Sequence, residues 1–152
     1  MKIDQEINAA FISDQHRAIV NLGYTMHFLK NVQNDFLSSY DLTLAQFNIL
    51  RILRGAGGFI NINTVKQRMV EKSPNTTRLM DKLIEKELIT RMRSNTDRRA
   101  MEVSITQKGL GLLKQTDQDE RMSELTELPL TNSEAKALSE LLDKIRTRKR
   151  NQ

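Results

Sequence analysis

The stretch from Ile62 to Arg99, INTVKQRMVEKSPNTTRLMDKLIEKELITRMRSNTDRR, decides how the rest of the chain is read. Val65 and Met69, four apart, mark the inner side of a helix over about Asn63 to Val70, and Glu71-Lys72 make a tight turn. Ser73-Pro74 then starts a second helix. Ser accepts a hydrogen bond from an unpaired first-turn amide, and Pro at the first helical position loses no bond it would have made. At about 100° per residue, Thr76, Leu79, Met80, Leu83 and Ile84 fall on one side, and Pro74, Arg78, Asp81, Lys82 and Glu85 on the other. The inner side packs. Arg78 is left near the middle of the outer side, where the positive end of the helix already favours an anion. Ile89–Arg93 and Met101–Ile105 read as two strands, the second alternating with Met101, Val103 and Ile105 inward and Glu102 and Ser104 outward. Their connection, Ser94 to Arg99, is polar and basic.

Charge singles out the same stretch. It holds ten Lys and Arg against five acids, a net +5, and the tail adds Lys144, Arg146, Arg148, Lys149 and Arg150 with no acid. The remainder has nine bases and fourteen acids, so the positive charge of a chain with pI near 9.6 is local. Such a patch suits a surface that meets a polyanion.

Outward from this stretch the chain reads as helices. From about Gln5 to Ser39 there is no Pro and one Gly, with Ile7, Phe11, Ala18, Leu22, Met26, Leu29 and Phe36 at helical spacing. This predicts one long helix bent at Gly23, too long to be covered by a small globular core alone. Thr43 and Gln46 form a capping-box pattern ahead of Phe47, Leu50 and Leu53, so another helix runs to about Arg54 and stops at Gly55, Gly57 and Gly58. Phe59-Ile60-Asn61 is at most a short strand. Thr106 caps a helix from Gln107 that ends near Thr126; Leu128-Pro129-Leu130 breaks the chain. Thr131 and Glu134 form a second capping box, with Leu138, Leu141, Leu142 and Ile145 striping the last helix.

Composition bounds the function. The 152 residues suit one domain, and no run approaches the roughly 20 apolar residues of a membrane span. The N-terminus lacks a signal pattern, so the expected location is cytoplasmic. With no Cys there is no disulfide framework, thiolate nucleophile or thiol sensor. His16 and His27 share a helical face but lie about 16 Å apart, too far for one metal ion. No Ser with a base, no framed carboxylate pair and no phosphate loop is present, so an enzyme is the class least supported, and no cofactor or metal is expected.

Helix, turn, helix and basic-tipped hairpin make the winged helix-turn-helix, whose second helix enters the major groove of DNA. Here the chain resembles the MarR (multiple antibiotic resistance regulator) family of bacterial transcriptional regulators, over roughly Leu42 to Leu113. The carriers are Ser73 to Leu83 (SPNTTRLMDKL), Leu88-Ile89-Thr90-Arg91, Asp97-Arg98-Arg99 and Ser104 to Gly109 (SITQKG). The sequence departs from the family pattern at Glu87, where a helix-ending Gly is usual, and at Thr76, where a branched apolar residue is usual. Glu87 implies a left-handed cap made at some strain, and Thr76 a hydroxyl bonded to a carbonyl one turn back.

The resemblance implies a mostly α fold with a small β-hairpin wing. It comprises a winged-helix DNA-binding part over 42–106 and dimerisation helices over 1–39 and 107–150 within a single domain, 1–152. It also implies a homodimer binding a palindromic double-stranded operator, most simply as a repressor. In many members a small phenolic or carboxylated effector alters DNA affinity. His16, Tyr24, His27 and Arg51 are of the residue types that line such a site, though no motif assigns one and each also suits a structural role. Arg99 is the wing residue entering the minor groove and Asp97 its structural partner; a surface ion pair is the plainer role for Asp97. Asn75, Thr77 and Arg78 meet base edges or phosphates, Lys72, Lys82 and Arg93 phosphates, and Ser73 and Arg98 complete the DNA-facing set. Two other functions fit the same residues: a winged-helix module docking on an acidic protein, and a nonspecific DNA-coating protein.

Overall fold

The computed structural model describes residues 2–7, 10–69, 75–94 and 99–147. Among the described residues, eight helices and three strands follow in chain order: α1 (Ile3–Glu6), α2 (Asp14–Ser38), α3 (Leu44–Ala56), β1 (Ile60–Asn61), α4 (Ile62–Arg68), α5 (Thr76–Glu85), β2 (Ile89–Arg93), β3 (Met101–Ile105), α6 (Gln107–Gln118), α7 (Ser123–Thr126) and α8 (Asn132–Arg146). A 3₁₀ turn, Glu120–Met122, joins α6 to α7. Both strands of the hairpin keep their predicted ranges. The short segment at Ile60 joins them, giving an antiparallel sheet in the order β1-β3-β2, with Ile60 opposite Val103 and Arg91 opposite Val103 on the other side. The molecule is the expected mostly α fold with a small wing.

One core holds the winged part. Leu37 from α2, Ile49, Leu50 and Leu53 from α3, Val65 from α4, Leu83 from α5, Val103 from β3 and Leu113 from α6 are fully buried together. At roughly 1.5–3 kcal/mol for each fully buried large aliphatic side chain, this cluster supplies most of the drive to fold.

The helix ends follow the sequence closely. Thr43 Oγ1 accepts from the Gln46 amide at 3.2 Å and Gln46 Oε1 from the Thr43 amide at 3.0 Å, so the predicted capping box is formed. The second box is formed too, between Thr131 and Glu134. At the C-terminus of α5, Glu87 takes φ +59°, while its amide donates to Ile84 O at 2.8 Å and the Leu88 amide to Leu83 O at 2.9 Å. That is the Schellman pattern with Glu in the place of Gly, and buried Leu88 and Leu83 supply its apolar contact. The turn after α2 repeats it. Asp41 has φ +53°, its amide donating to Ser38 O and that of Leu42 to Leu37 O, both at 3.1 Å. Each left-handed acid pairs with a lysine of another element, Asp41 with Lys86 at 2.9 Å and Glu87 with Lys108 at 3.0 Å. The buried Thr76 hydroxyl is satisfied, as is every buried side-chain nitrogen and oxygen among the described residues.

Two expectations need correction. The N-terminal segment is not one helix; α2 is continuous through Gly23 and is capped by Ser13, whose Oγ accepts from the His16 amide at 3.1 Å, with α1 lying before it. A side-chain cap stopped the helix where periodicity alone would have continued it. The helix from Gln107 ends at Gln118, eight residues before Thr126, because Asp119 turns to extended backbone (φ −72°, ψ 128°). The recognition helix is described only from Thr76, with Asn75 at its N-cap position; Ser73 and Pro74 lie outside the described residues.

Outside the core the terminal helices are bare. No residue of α8 is buried, and Leu138, Leu141 and Ile145 are 39 %, 59 % and 59 % exposed. On α2, Ile19, Met26 and Phe28 are equally open. Among the described residues no helix is long and apolar enough to cross a membrane.

Candidate nucleic-acid interface

Helix α5 has the two sides that its sequence dictates. Thr76, Met80 and Leu83 are buried, and Leu79 and Ile84 half-buried against the core. Asn75, Thr77, Arg78, Lys82 and Glu85 are exposed along the outer side. Packing the apolar side fixes the helix axis, so the polar row projects from a rigid support rather than a loop.

The wing stands beside this row. Strand β2 leaves Arg91 and Arg93 exposed; the Ser94 amide donates to Ala100 O at 2.9 Å at the loop end of the hairpin, and Arg99 is exposed beyond it. Arg91 Nη1 donates to Asp81 Oδ1 on α5 at 3.0 Å, a direct link between wing strand and recognition helix. Both side chains are about half exposed, so the pair contributes well under ~1 kcal/mol to stability. It marks where the wing strand meets the helix; the packing of β2 against α5 sets their approach.

Of the nine residues expected to face DNA, the structure brings Asn75, Thr77, Arg78, Lys82, Arg93 and Arg99 onto the exposed surfaces of α5 and the wing. Lys72, Ser73 and Arg98, with the wing residue Asp97, lie outside the described residues. Arg78, Lys82 and Arg93 form no ion pair among the described residues, so no carboxylate of those residues competes with a phosphate for them. Arg91 differs, and it was missed as a site residue. Its signal was its parity: Ile89, Arg91 and Arg93 share one face of β2, opposite Ile105, Val103 and Met101, and a charge on an apolar face needs a partner on the packed helix.

The four residues considered for an effector site each have a local partner. His16 Nδ1 accepts from the Ile12 amide at 3.4 Å and its ring meets Phe11 edge-on at 5.9 Å. The Tyr24 hydroxyl donates to Glu6 at 3.0 Å, which pushes the phenol above its ordinary pKa. His27 bonds Asn31 at 3.2 Å, and the Arg51 guanidinium lies 5.6 Å over Phe47.

Comparison with known proteins agrees with this geometry. Residues 42–101, spanning α3, α5 and most of the sheet, match the family model described as the MarR family. The chain is 30% identical over 140 residues to the multiple antibiotic resistance protein MarR of Escherichia coli (strain K12), covering 88% of this chain and 96% of that protein. A solved cysteine-to-serine variant of E. coli MarR complexed with operator DNA superposes with a TM-score of 0.70 at 29% identity, covering 88% of this chain and 99% of that one. An organohalide-sensing transcriptional regulator in its 2,4-dichlorophenol-bound form shares the fold, with a TM-score of 0.76 at 20% identity over 89% and 80% of the two chains. With its packed recognition helix, adjoining basic wing and near-full-length likeness to these regulators, the chain belongs to the MarR family of transcriptional regulators.

Proposed function

We propose that the protein is a homodimeric, sequence-specific repressor that reads a palindromic operator in double-stranded DNA. In this reading α5 lies in the major groove, where Asn75, Thr77 and Arg78 meet base edges, while Ser73, Lys72, Lys82 and Arg93 contact phosphates. The wing reaches the adjacent minor groove through Arg98 and Arg99, with Asp97 holding its shape. The observation that carries the proposal is the unpaired cationic row of Arg78, Lys82 and Arg93 at the junction of helix and wing. A cation with no internal partner gains most from a phosphate, because binding releases counterions without breaking an existing pair.

Dimerisation through residues 1–39 and 107–150 is supported by the bare apolar faces of α2 and α8. Two recognition helices about 34 Å apart read successive half-sites on one face of the duplex. Repression follows from occupying a promoter. Release by a small phenolic or carboxylated effector is part of the same proposal. An open cleft of about 540 Å³ between α5 and the α2–α3 turn is lined by Lys82, Glu85 and the Asp41–Lys86 pair; Lys82, which also belongs to the DNA-facing row, is the cation there that would meet such an anion.

Selection of bound sequences from a random duplex pool tests the proposal. A palindrome preferred over random duplex by about 10³-fold or more is expected. Arg78→Ala should relax one base preference by about 1–3 kcal/mol, and Arg99→Ala should lose affinity mainly on A·T-rich flanks. Equal displacement of the best site by bulk DNA would instead identify a coating protein, and weak binding throughout a protein-docking module.

A further inference from the structure

The chain leaves the core of the winged part, which α6 joins through Leu113, at two places: the turn after α2 and Asp119 between α6 and the 3₁₀ turn. Side chains tie these two crossings together. Asp119 Oδ1 accepts from the Arg121 amide at 2.9 Å and from Arg121 Nε at 3.1 Å. Asp119 Oδ2 accepts from Arg121 Nη2 and from the Tyr40 hydroxyl, both at 2.7 Å. Arg121 Nη2 also donates to Ser39 Oγ at 3.3 Å, and its guanidinium lies 5.2 Å over the Phe36 ring. One aspartate and one arginine thus hold three residues at the end of α2, across 79 positions of sequence in the case of Tyr40.

A cap that only ended α6 would need none of this. The Asp119 side chain is 16% exposed, and Arg121 and Tyr40 together hold its carboxyl well below the usual carboxylate range. The same bond raises the Tyr40 phenol. The group is charged and bonded at every physiological pH.

We propose that Tyr40, Asp119 and Arg121 are positioning residues for DNA recognition: they fix the bend between the winged part and the terminal helices, and so set the separation at which a dimer presents its two recognition helices. This rests on the two-fold operator reading above. The lever is long enough to matter. Helix α6 has 12 residues, about 18 Å at 1.5 Å each, so a change of about 10° at Asp119 moves its far end by about 3 Å. That is close to the rise of about 3.4 Å per base pair, and one step also turns the half-site around the duplex axis.

The test uses the full chain with Tyr40→Phe, with Arg121→Met, and with both. Because the chain has no Cys, Gln67→Cys on α4 and Lys136→Cys on α8 give unique spin-label positions on the two bodies, both exposed. Labelled chain diluted into unlabelled chain reports the intrachain distance by double electron–electron resonance. Operators selected by the unmodified chain, with half-sites moved by one or two base pairs, report spacing preference. The unmodified chain should show one narrow distance and prefer one spacing by about 30-fold. The double variant should remain folded by circular dichroism, with a distance distribution at least about twice as wide and spacing preference reduced to about 3-fold. Arg121→Lys should restore part of both. A folded double variant with an unchanged distance and spacing preference overturns the proposal. An unmodified chain without spacing preference refutes the operator reading instead, and is told apart because the variant's distance still broadens.

Discussion

Gly109→Ala puts the packing between wing and scaffold to a direct test. Gly109 lies in the first turn of α6, beneath the end of α5. A Cβ there would stand 2.3 Å from Leu88 O and 2.7 Å from Ile105 Cγ1. Ordinary contact begins at 3.4 Å, so about 1.1 Å must be yielded by a backbone carbonyl. That carbonyl is not free to move: it accepts from the Thr106 amide at 3.0 Å and Thr106 Oγ1 at 3.1 Å, and its residue closes the Schellman turn. Overpacking of this kind costs about 1–3 kcal/mol, and loss of one hydrogen bond about 1 kcal/mol more. Higher helix propensity returns about 1 kcal/mol. The net is a destabilisation of about 1–3 kcal/mol, or a Tm lower by roughly 2–12 °C for a chain of this length. Gly111→Ala, two residues on, is the control. It meets nothing within 4 Å and should gain the propensity alone, raising Tm by roughly 2–4 °C. Both are read by thermal and urea unfolding at one fixed protein concentration, since association shifts Tm. If both alanines raise Tm alike, the close approach of α6 to Leu88 is wrong.

Glu87→Gly removes a left-handed penalty of about 1–2 kcal/mol but adds about 0.4–1 kcal/mol of unfolded-state entropy. With its ion pair to Lys108 well exposed, a net gain of about 0.5 kcal/mol is expected in urea unfolding, and a loss would show that the Schellman turn is not strained. Asp81→Asn frees Arg91 for a phosphate, so the slope of log K against log salt for random duplex should steepen by about 0.9; an unchanged slope means Arg91 does not reach the duplex. Asp119 has its pKa lowered in the folded chain, so its stabilisation is complete above the ordinary aspartate pKa of about 4 and is lost as pH falls below it. Tm should therefore fall more steeply from pH 4 to pH 2 in the unmodified chain than in Asp119→Asn, and parallel curves would refute the assignment.

What could be read from the sequence was what local chemistry decides. Thr43 with Gln46, and Thr131 with Glu134, satisfy amides three residues away, so their helix starts needed no tertiary information. The apolar side of α5 was set by the core it faces, whereas of the alternation expected in Met101–Ile105 the core takes Val103, with Ile105 packed against it, and leaves Met101, Glu102 and Ser104 half-buried alike. Glu87 was legible as a left-handed residue only through the family pattern. The breaks at Ser13 and Asp119 were not legible from periodicity. Ser13 resembles any polar residue of a helix surface, and Asp119 acts with Tyr40 from the far end of α2. Arg91 was passed over because its partner Asp81 sits on the outer side of a helix whose tilt against β2 no spacing rule supplies.

Strand β2 forms an open edge of the sheet, since β3 takes the centre and β1 the far side. An unpaired edge is a template for a strand from another molecule, and long cationic side chains along it are a common way to prevent that pairing. Arg91 and Arg93, both exposed, are side chains of that kind on β2. Replacing both with apolar residues would leave an exposed apolar run at 91–93 around the exposed Met92, inviting aggregation. A wing variant made to weaken DNA binding should thus carry glutamine or serine at these positions, so that solubility and affinity are not lost together.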